Sequence, residues 1–248
     1  MRDWGANQGM QIIELVDGER NGVTVSHIRE AVNKMLESDT MTQLWIYFAG
    51  HGLNIAYDDY WLLSDAANES GESVDLDKSV KRAEHCRLEH VIFVGDTCRL
   101  LTQNMRFQGI TGTPIFPNFA TANATTKVDE YFSSKIGQPS LEVLADDGKY
   151  TAAYTELLCE VLSGKHPHLH EKDKVLETEV VRPWPVNDFL SENVPKRLEE
   201  RAVPANLFQT PDSRIRSRPE AWLSDVSKYP SPQQNVKSIE ELNEKGET

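Results

Sequence analysis

Two apolar stretches decide the fold: LWIYFAGHG at residues 44–52 and VIFVGDTCR at residues 91–99. Both are short and rich in aromatic and β-branched residues, which is typical of strands buried on both faces of a parallel sheet. Each apolar run stops at a glycine and then presents a reactive side chain, His51 in the first stretch and Cys98 in the second. Because ligands bind outside the carboxyl ends of the strands in an open α/β sheet, we expect both side chains at one rim.

A Cys and a His at one rim are the minimum for thiolate catalysis. The imidazole takes the thiol proton and later donates a proton to the leaving amine. Taken singly, Cys98 and His51 would more often be structural, because free Cys is a favoured core residue and His is intermediate in burial. Together at two strand ends they make a cysteine peptidase the leading hypothesis.

Composition restricts the class of protein and its partners. The chain has 248 residues, enough for one sizeable domain or for one domain with an appendage. Its formal charge of −13 argues against nucleic acid and anionic membranes as main partners, because a phosphate binder needs clustered Lys and Arg. Only three cysteines occur, widely spaced, which disfavours a disulfide framework or a zinc site, and no apolar run approaches the ~18 residues of a membrane span. We therefore expect a cytoplasmic protein.

Hydrophobic periodicity predicts the surrounding elements. Helices are expected at 28–36 with Thr24 or Ser26 as the N-cap, from Asp77 to about residue 90, at 153–162 ending at Gly164, and at 186–201 with Pro195 as a kink or a break. Further strands are expected at 11–15 and 115–122. Alternation of strand and helix predicts a mainly parallel, doubly wound α/β sheet with helices on both faces.

The same patterns predict three regions along the chain. Residues 1–165 are expected to form the catalytic domain, and residues 166–227 a C-terminal extension that packs on or near it. Residues 228–248 are polar, and we expect them to be disordered.

The two motifs resemble those of the caspase-like cysteine peptidases. His51 and Cys98 stand 47 residues apart, and a separation of roughly 50 residues is typical of caspases. The strand endings are closer to metacaspases, paracaspases and bacterial caspase homologues than to animal caspases, in which Gln-Ala-Cys replaces Asp-Thr-Cys. The likeness covers most of residues 1–215, and it includes the segments 60–65, 121–130, 148–164 and 209–211. It implies a caspase-like fold, and we expect the first strand of that fold to be lacking in this sequence.

This resemblance implies roles for individual residues. Cys98 would be the nucleophile and His51 the acid and base, and the backbone N–H groups of Gly52 and Cys98 would form the oxyanion hole. Glycine suits that position because it lets the substrate carbonyl come close.

Acidic residues near the motifs are candidates for a substrate pocket. Asp96 shares a strand face with Cys98, and a carboxylate there disfavours a thiolate unless a cation accompanies it. In the metacaspase-like group the matching Asp lines the first specificity pocket and binds Arg or Lys, so the resemblance implies cleavage after Arg or Lys. Glu130 and Asp65 are weaker pocket candidates, because most acidic residues at such positions are simply solvated.

Two other function classes stay open at this point. A catalytically inactive caspase-like scaffold or regulatory module is the alternative; the intact His51 and Cys98 count against it, and the shortened start counts for it. A doubly wound nucleotide-binding domain is disfavoured, because no GxGxxG or P-loop motif follows a predicted strand. We expect protein or peptide substrates with basic residues, no metal site and no cofactor. Calcium activation is known in the metacaspase group, and only the resemblance leads us to consider it for this chain.

Overall fold

The computed structural model describes residues 1–18, 22–101, 109–119, 125–144, 148 and 150–229. Its helices are α1 Arg2–Asn7, α2 Val25–Leu36, α3 Leu76–Ala83, α4 Ala153–Leu162 and α5 Pro183–Glu200. Its strands are β1 Gln43–Ile55, β2 Asp58–Leu62, β3 Ser73–Asp75, β4 His90–Thr97, β5 Leu100–Leu101, β6 Lys127–Phe132, β7 Glu142–Leu144, β8 Tyr150–Ala152, β9 His170–Lys172, β10 Glu179–Val181, β11 Asp212–Arg214 and β12 Ser224–Asp225.

One large mixed sheet organises the molecule. Its strand order is β11-β6-β4-β1-β2-β3, and β5 pairs with β1. The central strands β6, β4 and β1 are parallel, whereas β2, β3 and β11 are antiparallel to their neighbours. The predicted mainly parallel α/β sheet is therefore confirmed, with antiparallel strands at both edges.

Strand β4 separates two apolar cores. All eight of its residues are buried. Val91 and Phe93 belong to the core that helices α2 and α3 cover, whereas Ile92 and Val94 belong to the core that α1, α4 and α5 cover. Because side chains of a strand alternate between faces, a continuous apolar run of this kind requires helices on both sides.

Strand β1 changes neighbours along its length. Residues 43–50 pair in parallel with β4, and residues 51–55 pair in antiparallel with β2. The change from one partner to the other falls at His51, which pairs with Leu62 of β2.

Local signals at two helices behave as the sequence predicts, whereas the predicted break at Pro195 does not occur. The Thr24 hydroxyl accepts the backbone N–H of His27 at 3.3 Å and caps α2. Gly164 adopts φ +77° just after α4, the left-handed conformation that glycine tolerates best. Pro195 lies inside α5, which continues through it to Glu200.

Three predictions of elements are wrong in part. Residues 11–15 form no strand and pair with no strand among the described residues. In the strand expected at 115–122, residues 115–119 form no strand, since Pro117 cannot donate to a ladder, and residues 120–122 lie outside the described residues. Helix α3 is capped by Asp75, whose carboxylate accepts the backbone N–H of Lys78 at 2.8 Å, and it ends at Ala83.

The C-terminal region shares the sheet and the core. Strand β11 pairs with β6, and helix α5 packs on α4. Lys228 donates to the backbone carbonyl of Gln8, and the Tyr229 hydroxyl donates to that of Trp4, so the start of the predicted disordered tail is held against α1. Residues 230–248 lie outside the described residues. None of the described helices combines the length and apolar character needed to cross a bilayer.

Candidate active site

The register of parallel strands brings His51 and Cys98 to adjacent chain positions. Gly50 of β1 pairs with Thr97 of β4, and Leu53 pairs with Leu100, an offset of 47 residues in both pairs. His51 and Cys98 have the same separation, so each is the next residue along its strand. His51 is exposed and Cys98 is half-buried, so solvent and a substrate can reach both residues. The expectation of a common rim is met by this register.

Gly52 packs directly against the backbone that carries Cys98. A methyl group at Gly52 would lie 2.6 Å from the Cys98 carbonyl oxygen and 2.6 Å from Thr97 Oγ1, distances that real side chains essentially never show. Only glycine therefore lets β1 approach β4 this closely at the rim.

The Cys98 sulfur has a hydrogen-bond donor of its own. The backbone N–H of Ser140 points at Sγ with a distance of 3.3 Å, and the Ser140 carbonyl lies 3.8 Å from the same sulfur. A hydrogen bond from a backbone N–H stabilises negative charge on the acceptor. The loop that carries Ser140 therefore shapes the hydrogen-bonding environment of the Cys98 sulfur.

The Asp96 carboxylate lies beneath this rim and is almost fully buried. Its two oxygens accept from two hydroxyls, Ser140 Oγ at 2.6 Å and Thr155 Oγ1 at 2.5 Å. Among the described residues no Lys, Arg or His nitrogen lies within 4.0 Å of it, so neutral groups, and no cation, hold this charge. The companion cation anticipated from the sequence is not supplied by the described residues.

Two phenols surround the same carboxylate. Burial and the nearby Asp96 charge raise the pKa of Tyr47, whose hydroxyl shares a 2.9 Å hydrogen bond with Thr155. The same two causes raise the pKa of Tyr154, which is completely buried. Both phenols therefore stay protonated at neutral pH.

Arg99, the residue after Cys98, is held in a buried ion network. Its guanidinium bonds both oxygens of Asp59 at 2.9 and 2.7 Å, reaches Asp212 at 2.9 Å and lies 3.9 Å over the Phe132 ring. Arg214 joins the network through a 3.2 Å contact with Asp59. Strands β2 and β11 are thereby tied to the chain position next to the nucleophile candidate.

The two weaker pocket candidates have other partners. Glu130 of β6 is completely buried and pairs with Arg214 at 3.1 Å and Arg216 at 3.5 Å. Burial outweighs these guanidinium groups and raises the pKa of Glu130 to about 7. Asp65 is exposed in the turn after β2, where its carboxylate accepts from Asn68 at 2.7 Å. Neither is bonded to Asp96 or to Cys98 in the described part of the chain.

Several residues of the candidate site could not be identified from the sequence pattern. Ser140 and Thr155 reach Asp96 from a loop and from the first turn of α4, and single hydroxyls have no periodicity that would indicate a site. Asp59 directly precedes the segment 60–65 of the family resemblance, and its partner Arg99 stands out in the sequence only as part of the Cys98 motif. In the described ranges no group of three His, Cys, Asp or Glu side chains is placed to hold a metal ion.

Comparison with known protein families gives a match over most of the chain. The model of the caspase domain family matches residues 8–183. No curated protein matches the chain. The matched residues include His51, Cys98, Asp96 and Ser140, whereas strand β11 lies beyond them.

Proposed function

The chain belongs to the caspase family of cysteine peptidases, and from that premise we propose that it is an endopeptidase whose dyad is His51 and Cys98 and which cleaves after Arg or Lys. The register of β1 and β4 carries this proposal, because the constant offset of 47 residues aligns His51, inside β1, with Cys98, directly after β4. The other cysteines are poorer nucleophile candidates: Cys86 is buried and Cys159 lies against Met1.

The proposed reaction uses groups already described. His51 removes the Cys98 proton, and the thiolate attacks the carbonyl carbon of the scissile peptide bond. The oxyanion receives hydrogen bonds from the backbone N–H groups of Gly52 and Cys98. The carbon–nitrogen bond breaks as protonated His51 donates to the leaving amine. Water, deprotonated by His51, then hydrolyses the thioester and releases the free thiol.

Asp96 is the proposed origin of the preference for basic residues. Its carboxylate is held by neutral hydroxyls in the described part of the chain, so its charge is available to a substrate cation. A charged pair in a desolvated pocket commonly contributes about 2–3 kcal/mol. A peptide ending in Asp would instead meet like charge.

The test compares fluorogenic peptides ending in Arg, Lys or Asp, each with calcium and with a chelator. Wild type should cleave the Arg and Lys peptides. Cys98→Ala and His51→Ala should abolish cleavage, and Cys159→Ala is the matched cysteine control that should keep it. An Arg-directed thiol-reactive peptide should label wild type and not Cys98→Ala.

Substitution at the pocket tests specificity separately from chemistry. Asp96→Asn should lower kcat/KM for the Arg peptide by about 30- to 100-fold, because the charge is lost while the shape is kept. Better cleavage of the Asp peptide than of the Arg and Lys peptides by wild type would refute the assigned specificity. A folded wild type that neither cleaves nor labels would refute the enzymatic proposal and favour the scaffold alternative.

A further inference from the structure

Residues 209–212 run beside the candidate active site, beyond the matched family residues 8–183. Gln209 is 1% exposed although its side chain is polar. Its amide oxygen accepts the backbone N–H of Leu141 at 2.8 Å, and its amide nitrogen donates to the Ser133 carbonyl at 2.8 Å. One side chain therefore fastens both ends of the segment 133–141, which we call the sulfur loop.

The sulfur loop carries the donor that meets the nucleophile candidate. Ser140, which precedes Leu141, directs its backbone N–H at the Cys98 sulfur over 3.3 Å and its hydroxyl at Asp96 over 2.6 Å. The Gln209 amide nitrogen also lies 3.4 Å from that hydroxyl. The position of the N–H group thus depends on a bond that Gln209 makes to the next residue in the chain.

Backbone contacts join the same segments from the other side. Thr210 accepts the N–H of Lys135 at 2.8 Å, and its own N–H donates to the Gln138 side chain at 2.8 Å. Arg99 exchanges backbone hydrogen bonds with the loop, donating to the Gln138 carbonyl at 3.1 Å and accepting the Gly137 N–H at 2.8 Å. The loop is consequently fixed between the residue after Cys98 and the segment that begins at Gln209.

We propose that Gln209 is a positioning residue, which holds the Ser140 N–H on the Cys98 sulfur and so favours the thiolate. The inference rests on the proposed function in taking Cys98 as the nucleophile. The Gln209 amide acts on Cys98 through the backbone of the sulfur loop, by way of Leu141 at one end and Ser133 at the other. Its loss should therefore affect the charge state and the orientation of the thiol more than the binding of substrate. A backbone donor moved away from a thiolate leaves that charge less stabilised.

The test measures alkylation of Cys98 by iodoacetamide against pH, with mass spectrometry to separate it from Cys86 and Cys159. Gln209→Met keeps the length of the side chain and removes both amide bonds. The pH midpoint of Cys98 alkylation should rise by about one unit, since a hydrogen bond to a charged group is lost. On the Arg peptide, kcat should fall about 10-fold with little change in KM.

Gln8 provides a matched control. It is a buried glutamine whose amide also accepts one backbone N–H and donates to one backbone carbonyl, both of Asp225. Gln8→Met should lower the melting temperature as Gln209→Met does, and it should leave the alkylation midpoint of Cys98 unchanged. Gln209→Asn, which keeps an amide but shortens the side chain, should shift the midpoint in the same direction and serves if Gln209→Met does not fold.

The two proposals fail in different ways. An unchanged midpoint and an unchanged kcat in folded Gln209→Met or Gln209→Asn would overturn the positioning role while the peptidase stands. Equal midpoint shifts in the Gln8 and Gln209 variants would overturn it as well, because the effect would then follow stability alone. A folded wild type that neither cleaves a peptide nor is labelled by the Arg-directed reagent would refute the proposed function, and the iodoacetamide alkylation profiles would still decide the role of Gln209.

Discussion

Gly52→Ala is the most direct test of the geometry at the rim. The added methyl group would lie 2.6 Å from the Cys98 carbonyl oxygen, and this distance must widen to at least 3.0 Å before it resembles a real contact. The opposing atoms belong to backbone and to the short Thr97 side chain, so β1 and β4 must separate. Overpacking of this kind costs about 1–3 kcal/mol of stability. Because a displacement of about 1 Å can cost 100-fold in rate, a shift of roughly half that size should lower kcat about 10-fold.

The assay is steady-state cleavage of the Arg peptide together with thermal unfolding. Alanine keeps the N–H group of residue 52, so KM should change little while kcat falls. Gly71→Ala is the control, since its methyl group would meet only Thr113 Oγ1 at an ordinary 3.6 Å. A Gly52→Ala protein with the kcat of wild type would refute the argument that His51 and Cys98 depend on this close approach.

Three further substitutions test the buried charges and a helix end. Asp59→Asn leaves the buried Arg99 guanidinium with less compensation, which should cost about 3 kcal/mol and lower the melting temperature by roughly 6–12 °C; a change below about 2 °C would contradict the network. The pKa of Glu130 is raised to about 7, so the folded state binds this proton more tightly than the unfolded chain does. Ionisation of Glu130 therefore lowers the free energy of unfolding progressively from about pH 4.5, and the loss is complete above pH 7. Wild type should therefore lose roughly 2 kcal/mol of unfolding free energy between pH 5 and pH 8 that Glu130→Gln does not lose, as urea titrations at the two pH values would show. Gly164→Ala forces alanine to adopt a positive φ and places its methyl group 3.1 Å from Val226. The free energy of unfolding, measured by denaturant titration, should therefore fall by about 1–2 kcal/mol.

The central strands, and the neighbouring positions of His51 and Cys98, could be predicted from sequence because they depend on short-range patterns. The apolar run before Asp-Thr-Cys marks the end of β4, and parallel pairing converts equal positions along two strands into neighbours. The predicted end of β1 at Gly-His is wrong, because β1 changes partner there and continues to Ile55. The segment 11–15 is also largely apolar, but a strand needs a partner strand, which its own sequence does not reveal. Hydrophobic periodicity does not reveal strand β6, because Asp129 and Glu130 are residue types expected on a solvent-exposed surface. Inside the protein, His90 pairs with Asp129, and Arg214 and Arg216 pair with Glu130.

The hydrogen bonds around Asp96 and Cys98 could not be predicted, because they join residues that are distant in sequence. Ser140, Thr155 and Gln209 meet around Asp96 and Cys98 through single hydrogen bonds between loops and a helix start. Such bonds follow from the final path of the chain, and they leave no periodic trace in the sequence. The acidic pocket candidates Glu130 and Asp65 illustrate the same difficulty, since only their partners distinguish an internal ion pair or a turn from a binding group.

The change of pairing partner along β1 affects how firmly the backbone of His51 is held. A side chain at the last residue of a strand loses its place whenever the strand end frays. His51 is exposed, yet its strand continues to Ile55, and β4 pairs with the residues before it while β2, on the opposite edge of β1, pairs with His51 and the residues after it. The imidazole therefore projects from the interior of a paired strand, and its backbone should exchange hydrogen more slowly than the backbone of a frayed strand end. His51 therefore combines an exposed side chain with a backbone that strand pairing holds in place, a combination that loop residues usually lack.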